Sequence, residues 1–247
     1  FFFKQKTAYE IRNCDWSSDV CSSDLASDPG RGSDHPLLPV LRSVEAASCP
    51  GRLNFHCHSL CSDGSLEPEA IADQAVALGL EHFAVTDHHS LEAFPLVQAR
   101  LAVHAEGGRP VPTLWPGTEI SCLLETCLVH VLALGVDGRH PAMAPYLQGD
   151  TVSGPALQAS AVVEAIQAAG GLALLAHPAR YRLGFRPLLE AAAALGFDGA
   201  EVWYDYEMNE HWRPSPHVCE AISRLCRDLD LLQSCGTDTH GMSLKGR

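Results

Sequence analysis

The sequence predicts a parallel α/β fold and favours a barrel over a short open sheet. Short apolar runs typical of buried strands alternate with helical patterns of about ten to fifteen residues. Seven strand candidates follow one another over about 190 residues, which is more than a small open sheet requires. The chain has 247 residues and a hydrophobic fraction of 46%, so it can bury a sizeable core.

The strand candidates are short apolar runs, and several of them stop at a polar residue. The first run ends at a pair of histidines, and the second ends just before Asp87. Runs of this length bounded by turn or polar residues are typical of buried strands. The seven candidates occupy residues 53–58, 82–86, 114–121, 127–135, 172–176, 199–204 and 231–236.

The helix candidates have the boundary residues that helices prefer. Pro68 opens the first helix and Gly79 follows its end, while Gly170 and Gly196 follow two later helices. Proline fits the first turn of a helix, and glycine fits the position just beyond its end. The five candidates occupy residues 68–78, 90–105, 155–169, 187–195 and 217–229.

The N-terminal region does not follow this alternation. Residues 1–25 contain DWSSDVCSSDL and FKQKTAYEI, which resemble the translation of a short-read sequencing adapter and its flow-cell primer. We interpret residues 1–25 as an artefact of sequence assembly and leave them out of the fold prediction; a disordered native tail is the alternative. Residues 26–50 are rich in Pro, Ser, Gly and Asp and predict a linker or disordered lead-in, so the main domain is expected over residues 51–247.

Charge and cysteine content exclude several classes of function. The formal net charge of −13 argues against non-specific binding of nucleic acid through a basic surface. The sequence contains no run of about 18 apolar residues, so it predicts no membrane span. Beyond Cys14 and Cys21 the cysteines are scattered, with no CxxC pair, so a thiolate metal site is not indicated. Scattered cysteines of this kind are common in reducing compartments, and we expect a cytoplasmic protein.

Histidines and carboxylates recur where the predicted strands end. Each motif taken alone is weak, because a solvated or core histidine explains it as well. In a parallel barrel, however, the carboxyl ends of the strands open on one face. Residues on six strands or their ends could therefore converge: His56, His58, Asp63, His88, Glu119, His130, His177, Asp238 and His240.

This set of side chains predicts a centre with several metal ions. Imidazoles and carboxylates without a thiolate suit Mn, Fe or Zn rather than Ca or Mg. The set exceeds what one ion can use, and carboxylates that bridge ions would let it hold two or three. Clustered divalent cations polarise a phosphoryl group and lower the pKa of a bound water. The sequence contains no GxSxG, Walker A or GxGxxG motif that would indicate another chemistry.

The motifs HxH…SDG, TDH, PGxE, AHP and GxDxH occur in this order between residues 53 and 242. In this order they resemble the PHP (polymerase and histidinol phosphatase) family of metal-dependent phosphoesterases. The resemblance implies a distorted (β/α)7 TIM-like barrel with up to three divalent cations, Mn²⁺ first and Fe²⁺ or Zn²⁺ as alternatives. By motif position it implies a first ion at His56, His58 and Asp238, and a second at Asp63, His88 and His240. It implies a third at His130 and His177, with Glu119 as the bridging carboxylate.

The segment Ala176–Tyr181 also resembles the AHPxRY segment of one PHP branch. That branch contains 3′,5′-nucleoside bisphosphate phosphatases, which are also 5′-3′ exoribonucleases on short RNA. The resemblance implies that Arg180 contacts substrate phosphate, a role that suits a guanidinium. An ordinary surface arginine is the alternative.

Three features depart from the branch pattern. His89 stands where the branch has Asp, and its role is open. Only 46 residues separate His130 from His177, whereas the bisphosphate phosphatases carry a longer helical insertion there, so their specificity does not transfer directly. The chain stops seven residues after His240, where family members continue, which implies a C-terminal truncation.

The resemblance predicts hydrolysis of the phosphate monoester of a small molecule or nucleotide by a metal-bound hydroxide. Beyond the metal ligands no catalytic residue is assigned. Asp87 either orients a metal-bound histidine or caps the next helix, and Glu201, Trp203 and Tyr204 end a strand beside the expected pocket. The alternatives are an exonuclease on short RNA, a polymerase-type proofreading module and a non-catalytic metal-binding domain.

Overall fold

The computed structural model describes residues 34–209 and 211–246. The helices are α1 (Leu38–Arg42), α2 (Pro68–Leu78), α3 (Ala93–Glu106), α4 (Ala159–Ala168), α5 (Phe185–Ala194) and α6 (Pro216–Asp228). The strands are β1 (Leu53–Asn54), β2 (His82–Val85), β3 (Thr113–Leu124), β4 (Cys127–Leu134), β5 (Leu172–Leu175), β6 (Gly199–Trp203) and β7 (Leu232–Cys235). Short 3₁₀ helices lie at Pro141–Tyr146, Gly154–Leu157 and Pro178–Arg180.

The seven strands form one sheet in sequence order, from β1 to β7. The segments that follow β1 and β7 also hydrogen-bond to each other: Phe55 N–H donates to the Cys235 carbonyl, Asp238 N–H to that of His56, and His58 N–H to that of Thr239. These bonds link the two edges of the sheet into a barrel. The α/β barrel predicted from the sequence is therefore confirmed, as a distorted TIM-like barrel.

The expectation of a wholly parallel sheet is wrong for one strand. β4 runs antiparallel to both β3 and β5, whereas the other neighbouring pairs are parallel. Only Glu125 and Thr126 connect β3 to β4, and two residues can join antiparallel strands but cannot make a parallel crossover. Glu125 takes a positive φ of 54° in this tight turn. The resulting hairpin brings β4 side chains to the same end of the barrel as the strand ends.

The segment that precedes β1 packs on the barrel. Leu37 and Leu41 are buried against residues of β1, β4, β5 and β7. The sequence predicts a lead-in through residue 50, but the structure places the chain from Asp34 onward in the same compact unit as the barrel. The reason is the apolar patch at residues 36–41, which forms α1 and buries its leucines. Residues 1–25, interpreted as an artefact, and residues 26–33 of the lead-in lie outside the described residues.

The other helices lie around the sheet and bury one face each. α4, α5 and α6 share a core with β4, β5 and β6, and α2 and α3 pack with β2 and with Cys57, which follows β1. Gly79 ends α2 in the left-handed conformation, with φ of 71°, which glycine adopts without a steric penalty. Within the described residues, no helix has both the length and the apolar character needed to cross a bilayer.

Candidate metal centre

All nine predicted ligand residues lie together at one end of the barrel. They come from the segments after β1, β2, β5 and β7, from β3 and β4, and from the loop that carries Asp63. Their nitrogen and oxygen atoms form three overlapping clusters, and Glu119 belongs to two of them. His177 joins through its Nε2, which lies 3.2 Å from Glu119 Oε1.

The first cluster is fully buried and contains four ligand atoms. His56 Nε2 lies 3.1 Å from Glu119 Oε2 and 3.3 Å from Asp238 Oδ1. His58 Nε2 lies 3.2 Å and 3.3 Å from the same two oxygens. The two imidazole nitrogens are 3.2 Å apart. Four donor atoms thus surround one point in the interior.

The second cluster lies closer to solvent, around the half-exposed carboxylate of Asp63. His240 Nε2 lies 3.3 Å from Asp63 Oδ2, and His88 Nε2 lies 3.7 Å from the same oxygen. His58 Nδ1 lies 3.4 Å from Asp63 Oδ1. His240 Nδ1 contacts the backbone carbonyl of Asp238 at 3.0 Å, which suits a tautomer whose Nε2 is free to bind a cation.

The third cluster uses the other oxygen of Glu119. His130 Nδ1 lies 2.8 Å from Glu119 Oε1, and His177 Nε2 lies 3.2 Å from it. His88 Nδ1 also belongs to this cluster, but its contact with Glu119 is to Oε2, at 3.5 Å. The two oxygens of Glu119 therefore face different groups of imidazoles, which is the geometry that a bridging carboxylate requires.

These clusters fit divalent cations. Zn²⁺-type bonds of about 2.0–2.2 Å to nitrogen or oxygen place neighbouring ligands roughly 3.0–3.5 Å apart, as in the first cluster. Each imidazole nitrogen can donate a proton to these carboxylate oxygens, but two N–H groups would then face each other at 3.2 Å, which a shared cation avoids. The buried His58 Nδ1 also makes no hydrogen bond among the described residues, although Asp63 Oδ1 lies 3.4 Å from it. A cation in each cluster would satisfy these atoms.

The charge balance of the buried centre also favours cations. Burial disfavours a charged imidazole, but the neighbouring carboxylates, Glu201 first among them, raise the pKa of His56 well above its ordinary value. Burial is likewise overcome at His58, where hydrogen bonds to Asp238 and Glu119 raise the pKa to about 9. Burial alone would raise the pKa of Glu119 and Asp238, yet the imidazoles hold both pKa values below the ordinary range. Buried ionised carboxylates need compensating positive charge, which protons or metal ions supply.

The loop that carries Asp63 is held by Asp87 and by a close backbone approach. The carboxylate of Asp87 accepts hydrogen bonds from Ser59 N–H (2.7 Å), Ser59 Oγ (2.6 Å) and Ser62 Oγ (2.6 Å). A Cβ at Gly64 would lie 2.4 Å from the carbonyl carbon and oxygen of His58. The SDG motif therefore needs its glycine because the loop folds directly onto the backbone of a candidate ligand.

The described contacts of Asp87 differ from the two roles expected for it, and the structure also gives contacts for His89, whose role was open. Asp87 binds this loop in its described contacts, rather than orienting a histidine or capping α3, whose N-cap is Glu92. His89 is buried and takes a positive φ of 51°, and its Nε2 accepts a hydrogen bond from Ser121 N–H at 3.2 Å. Burial lowers the pKa of His89. His89 thus stabilises β3 beside the candidate metal centre through this hydrogen bond.

Sequence reasoning did not identify the contacts of Glu201 and Tyr204. Glu201 is buried, and each of its carboxylate oxygens lies 3.1 Å from His56 Nδ1. Tyr204 is buried and donates its hydroxyl proton to Asp238 Oδ2 at 2.6 Å. The signal in the sequence is weak: Glu201 is one acid inside the otherwise apolar strand β6, with no motif around it.

A cavity of about 290 Å³ opens onto the clusters and is lined by His88, Glu119, His130, His177, Arg180, Tyr181, Asp238 and His240. Arg180 is half-exposed, and its Nη1 donates to Asp238 Oδ2 at 2.9 Å and to Tyr204 Oη at 2.8 Å. Tyr181 Oη accepts a hydrogen bond from His130 N–H at 2.8 Å. The predicted phosphate contact, Arg180, therefore lies at the mouth of the centre and is fixed by one of its carboxylates.

Comparison with known proteins agrees with this architecture. Residues 54–141 match the PHP domain family. The chain is 34% identical over 98 residues to the 5′-3′ exoribonuclease Rnm of Salmonella typhimurium, covering 40% of this chain and 32% of that protein. It is 34% identical over 96 residues to the 3′,5′-nucleoside bisphosphate phosphatase of Chromobacterium violaceum, covering 39% of this chain and 32% of that protein. The matched segment thus spans about a third of the length of these curated relatives.

A solved structure shares the fold. A protein of Bifidobacterium adolescentis assigned as a metal-dependent phosphoesterase superposes with a TM-score of 0.63 at 22% identity, covering 80% of this chain and 90% of that one. The motif order, the barrel and the convergence of the motif residues at one end agree with the family match. The match to the PHP domain family thus covers residues 54–141, and the fold of the described chain is that of the solved structure.

Proposed function

We propose that this chain is a metal-dependent phosphoesterase that hydrolyses phosphate monoesters of a small molecule or nucleotide. One observation carries the proposal: the two carboxylate oxygens of Glu119 face separate groups of imidazoles, and Glu119 lines a cavity of about 290 Å³. This arrangement would place two or three cations side by side where a phosphate group can enter. The matches to a phosphatase and to an exoribonuclease support the same reaction class.

The residues that would hold the ions fall into three sets. His56, His58 and Asp238 would hold the first, Asp63, His88 and His240 the second, and His130 and His177 the third, with Glu119 between them. Bound divalent cations would polarise the phosphoryl oxygens and make water acidic enough to attack at neutral pH. The mixed imidazole and carboxylate donors suit Mn²⁺, with Fe²⁺ and Zn²⁺ as alternatives.

Arg180 would orient the phosphate. Its Nη1 is engaged by Asp238 and Tyr204, so the guanidinium is fixed in position before substrate binds. A guanidinium has five N–H donors, and those not used by Asp238 and Tyr204 can bind phosphate oxygens. The positive charge of Arg180 would also offset the negative charge that a phosphate ester brings into a site rich in carboxylates.

The volume of the cavity, about 290 Å³, and the charge of the chain support the proposal of a small substrate. The formal net charge of −13 opposes binding of long nucleic acids. A second candidate, exonuclease action on short RNA, is favoured by the exoribonuclease relative. The segment between β4 and β5 is where the bisphosphate phosphatases carry a longer helical insertion. In this chain that segment is described in full and contains two 3₁₀ helices and α4. A polymerase-type proofreading module and a non-catalytic metal-binding domain are the remaining alternatives.

We place the protein in the cytoplasm. The cysteines of the described residues are free thiols, and most of them are buried. Unpaired thiols in this number are typical of a reducing compartment.

The proposal is tested by measuring release of inorganic phosphate from the monoesters, and of mononucleotides from the oligomers, across a substrate panel. Metal content is measured on the same sample. The panel contains nucleoside 5′-monophosphates, 3′,5′-bisphosphates, small sugar phosphates and 5′-phosphorylated RNA oligomers of two to five nucleotides. We expect turnover of one or more monoesters that depends on bound metal. Turnover of the oligomers alone would favour the exonuclease, and full metal loading without turnover of any compound would favour the non-catalytic alternative.

A further inference from the structure

Glu201 lies behind the metal centre, where it contacts two candidate ligand residues from different strands. Each of its carboxylate oxygens is 3.1 Å from His56 Nδ1. Its Oε2 also accepts a hydrogen bond from His177 N–H at 2.9 Å. Glu201 is fully buried, so no solvent competes for these contacts.

The contact with His56 determines which ring nitrogen of His56 carries a proton. His56 Nε2 points into the first cluster, 3.1 Å from Glu119 Oε2. For Nε2 to bind a cation it must have no proton, so in a neutral ring Nδ1 carries the proton and donates it. An ionised carboxylate can only accept, and Glu201 therefore stabilises the tautomer that binds metal.

The contact with His177 acts on the backbone. His177 has φ of 28°, a conformation that a residue with a side chain rarely adopts. Its N–H is tied to Glu201 while its Nε2 reaches Glu119 Oε1 at 3.2 Å. One carboxylate thus fixes a side chain of the first cluster and the backbone of a residue in the third.

The space for this carboxylate depends on Gly236. A Cβ at Gly236 would lie 2.2 Å from the Cβ of His56 and 2.8 Å from Glu201 Oε1. The glycine of the GxDxH motif therefore lets β7 approach the pair closely. The Glu201 carboxylate, the two groups that donate to it and the space left by Gly236 thus form a defined hydrogen-bonding site within the core.

From these contacts we infer that Glu201 is a positioning residue that couples the first and third ion positions. It holds His56 as the Nδ1–H tautomer and His177 in its unusual backbone conformation. The inference rests on the proposed metal centre and does not depend on which ester, if any, is hydrolysed.

Nuclear magnetic resonance of the wild-type chain tests the tautomer directly. The chain is labelled with ¹⁵N-histidine and loaded with Zn²⁺, which is diamagnetic, and its two-bond ¹H–¹⁵N correlations are recorded. The His56 signals are identified by their loss in His56→Gln. We expect His56 to carry its proton on Nδ1. A proton on Nε2 in the Zn²⁺-loaded protein would overturn the inference, and this result does not require Glu201→Gln to fold.

The variant Glu201→Gln tests the coupling. Its amide NH₂ can donate to His56 Nδ1 and so favour the tautomer that blocks Nε2. We expect Mn²⁺ and Zn²⁺ binding, measured by titration calorimetry, to weaken by about 10- to 100-fold at two positions, while the position at Asp63 and His240 retains its affinity. The matched control Glu207→Gln lies beyond the same strand and should bind as the wild type does.

Unchanged metal affinity in folded Glu201→Gln would overturn the inference, as would a uniform loss at all positions. Metal binding and the tautomer are read without a phosphate ester. A wild-type chain that binds metal with the expected tautomer but releases no phosphate would therefore remove the proposed function and leave this inference intact.

Discussion

Glu119 and His130 face each other across the β3–β4 hairpin, with Glu119 Oε1 2.8 Å from His130 Nδ1. The antiparallel register sets Ser121 opposite His130 and Glu119 opposite Leu132. Glu119 and His130 are thus diagonal neighbours on one face of the sheet, within reach of long side chains. The reversed strand β4 is what lets a histidine in the middle of an apolar run reach the metal centre.

The position of Glu119 between two clusters makes it the carboxylate whose loss should matter most. We expect Glu119→Gln to reduce metal content and to lower phosphate release by about 10- to 100-fold, because an amide cannot neutralise two cations. Metal analysis and phosphate release on the same sample provide the check. Glu125→Gln in the exposed turn of the same hairpin is the control, and equal effects of the two variants would show that Glu119 has no special role.

Chelation should abolish activity reversibly. Treatment with EDTA followed by its removal is expected to leave a folded chain without turnover. The sequence contains no GxSxG motif that would supply another nucleophile. Added Mn²⁺ should restore the rate of phosphate release. Full activity in protein shown to be free of metal would exclude the proposed chemistry.

Arg180 should act on phosphate rather than on the metals. We expect Arg180→Ala to raise KM or lower kcat by about 10- to 100-fold, because a charged donor at the cavity mouth is lost. Metal content should remain that of the wild type. Arg182→Ala, which removes a contact to the Thr126 carbonyl outside the cavity, serves as the control. Loss of metal in Arg180→Ala would show that Arg180 instead holds Asp238 in place.

The pH dependence of stability should differ between metal-free and metal-loaded protein. In the metal-free chain the pKa of His58 is raised to about 9, above an unfolded value of about 6.5. The stabilisation of the folded metal-free chain by protonated His58 is therefore fully present below pH 6.5 and is lost as the pH rises through 9. In the loaded chain a cation replaces that proton. We expect the difference in Tm between the two forms to widen by at least about 2 °C from pH 6.5 to 9, as measured by thermal unfolding; a constant difference would contradict this.

The loop that carries Asp63 should not tolerate a side chain at Gly64. A Cβ at position 64 would lie 2.4 Å from the backbone of His58. We therefore expect Gly64→Ala to destabilise the fold by about 1–3 kcal/mol. Binding at the second ion position should weaken because Asp63 moves with the loop. Gly51→Ala is the control, since a Cβ there meets no atom within 4 Å. Equal stability of both variants would contradict the proposed loop geometry.

The sequence was most informative where polar residues follow apolar strands. His56, His88 and His177 each lie within three residues of the end of such a strand, and topology alone brings strand ends together. The reversed direction of β4 could have been predicted from the five-residue gap between the predicted strands at 114–121 and 127–135, which is too short for a parallel crossover.

Other features could not be predicted because their partners are distant in sequence. Glu201 meets His56 across 145 positions, and nothing local to β6 marks it. Asp87 was recognised as part of a motif, but its partners Ser59 and Ser62 were not, because they lie on the preceding loop. The apolar patch that becomes α1 was visible, yet only the folded barrel shows what its leucines pack against.

Anomalous diffraction from crystals grown with Mn²⁺ tests the central claim most directly. We expect two or three anomalous peaks in the cavity, one among His56, His58 and Asp238, one beside Asp63 and His240, and Glu119 in contact with more than one. A map without peaks at these positions, from a protein that is folded and saturated with Mn²⁺, would contradict the metal centre and the phosphoesterase chemistry built on it.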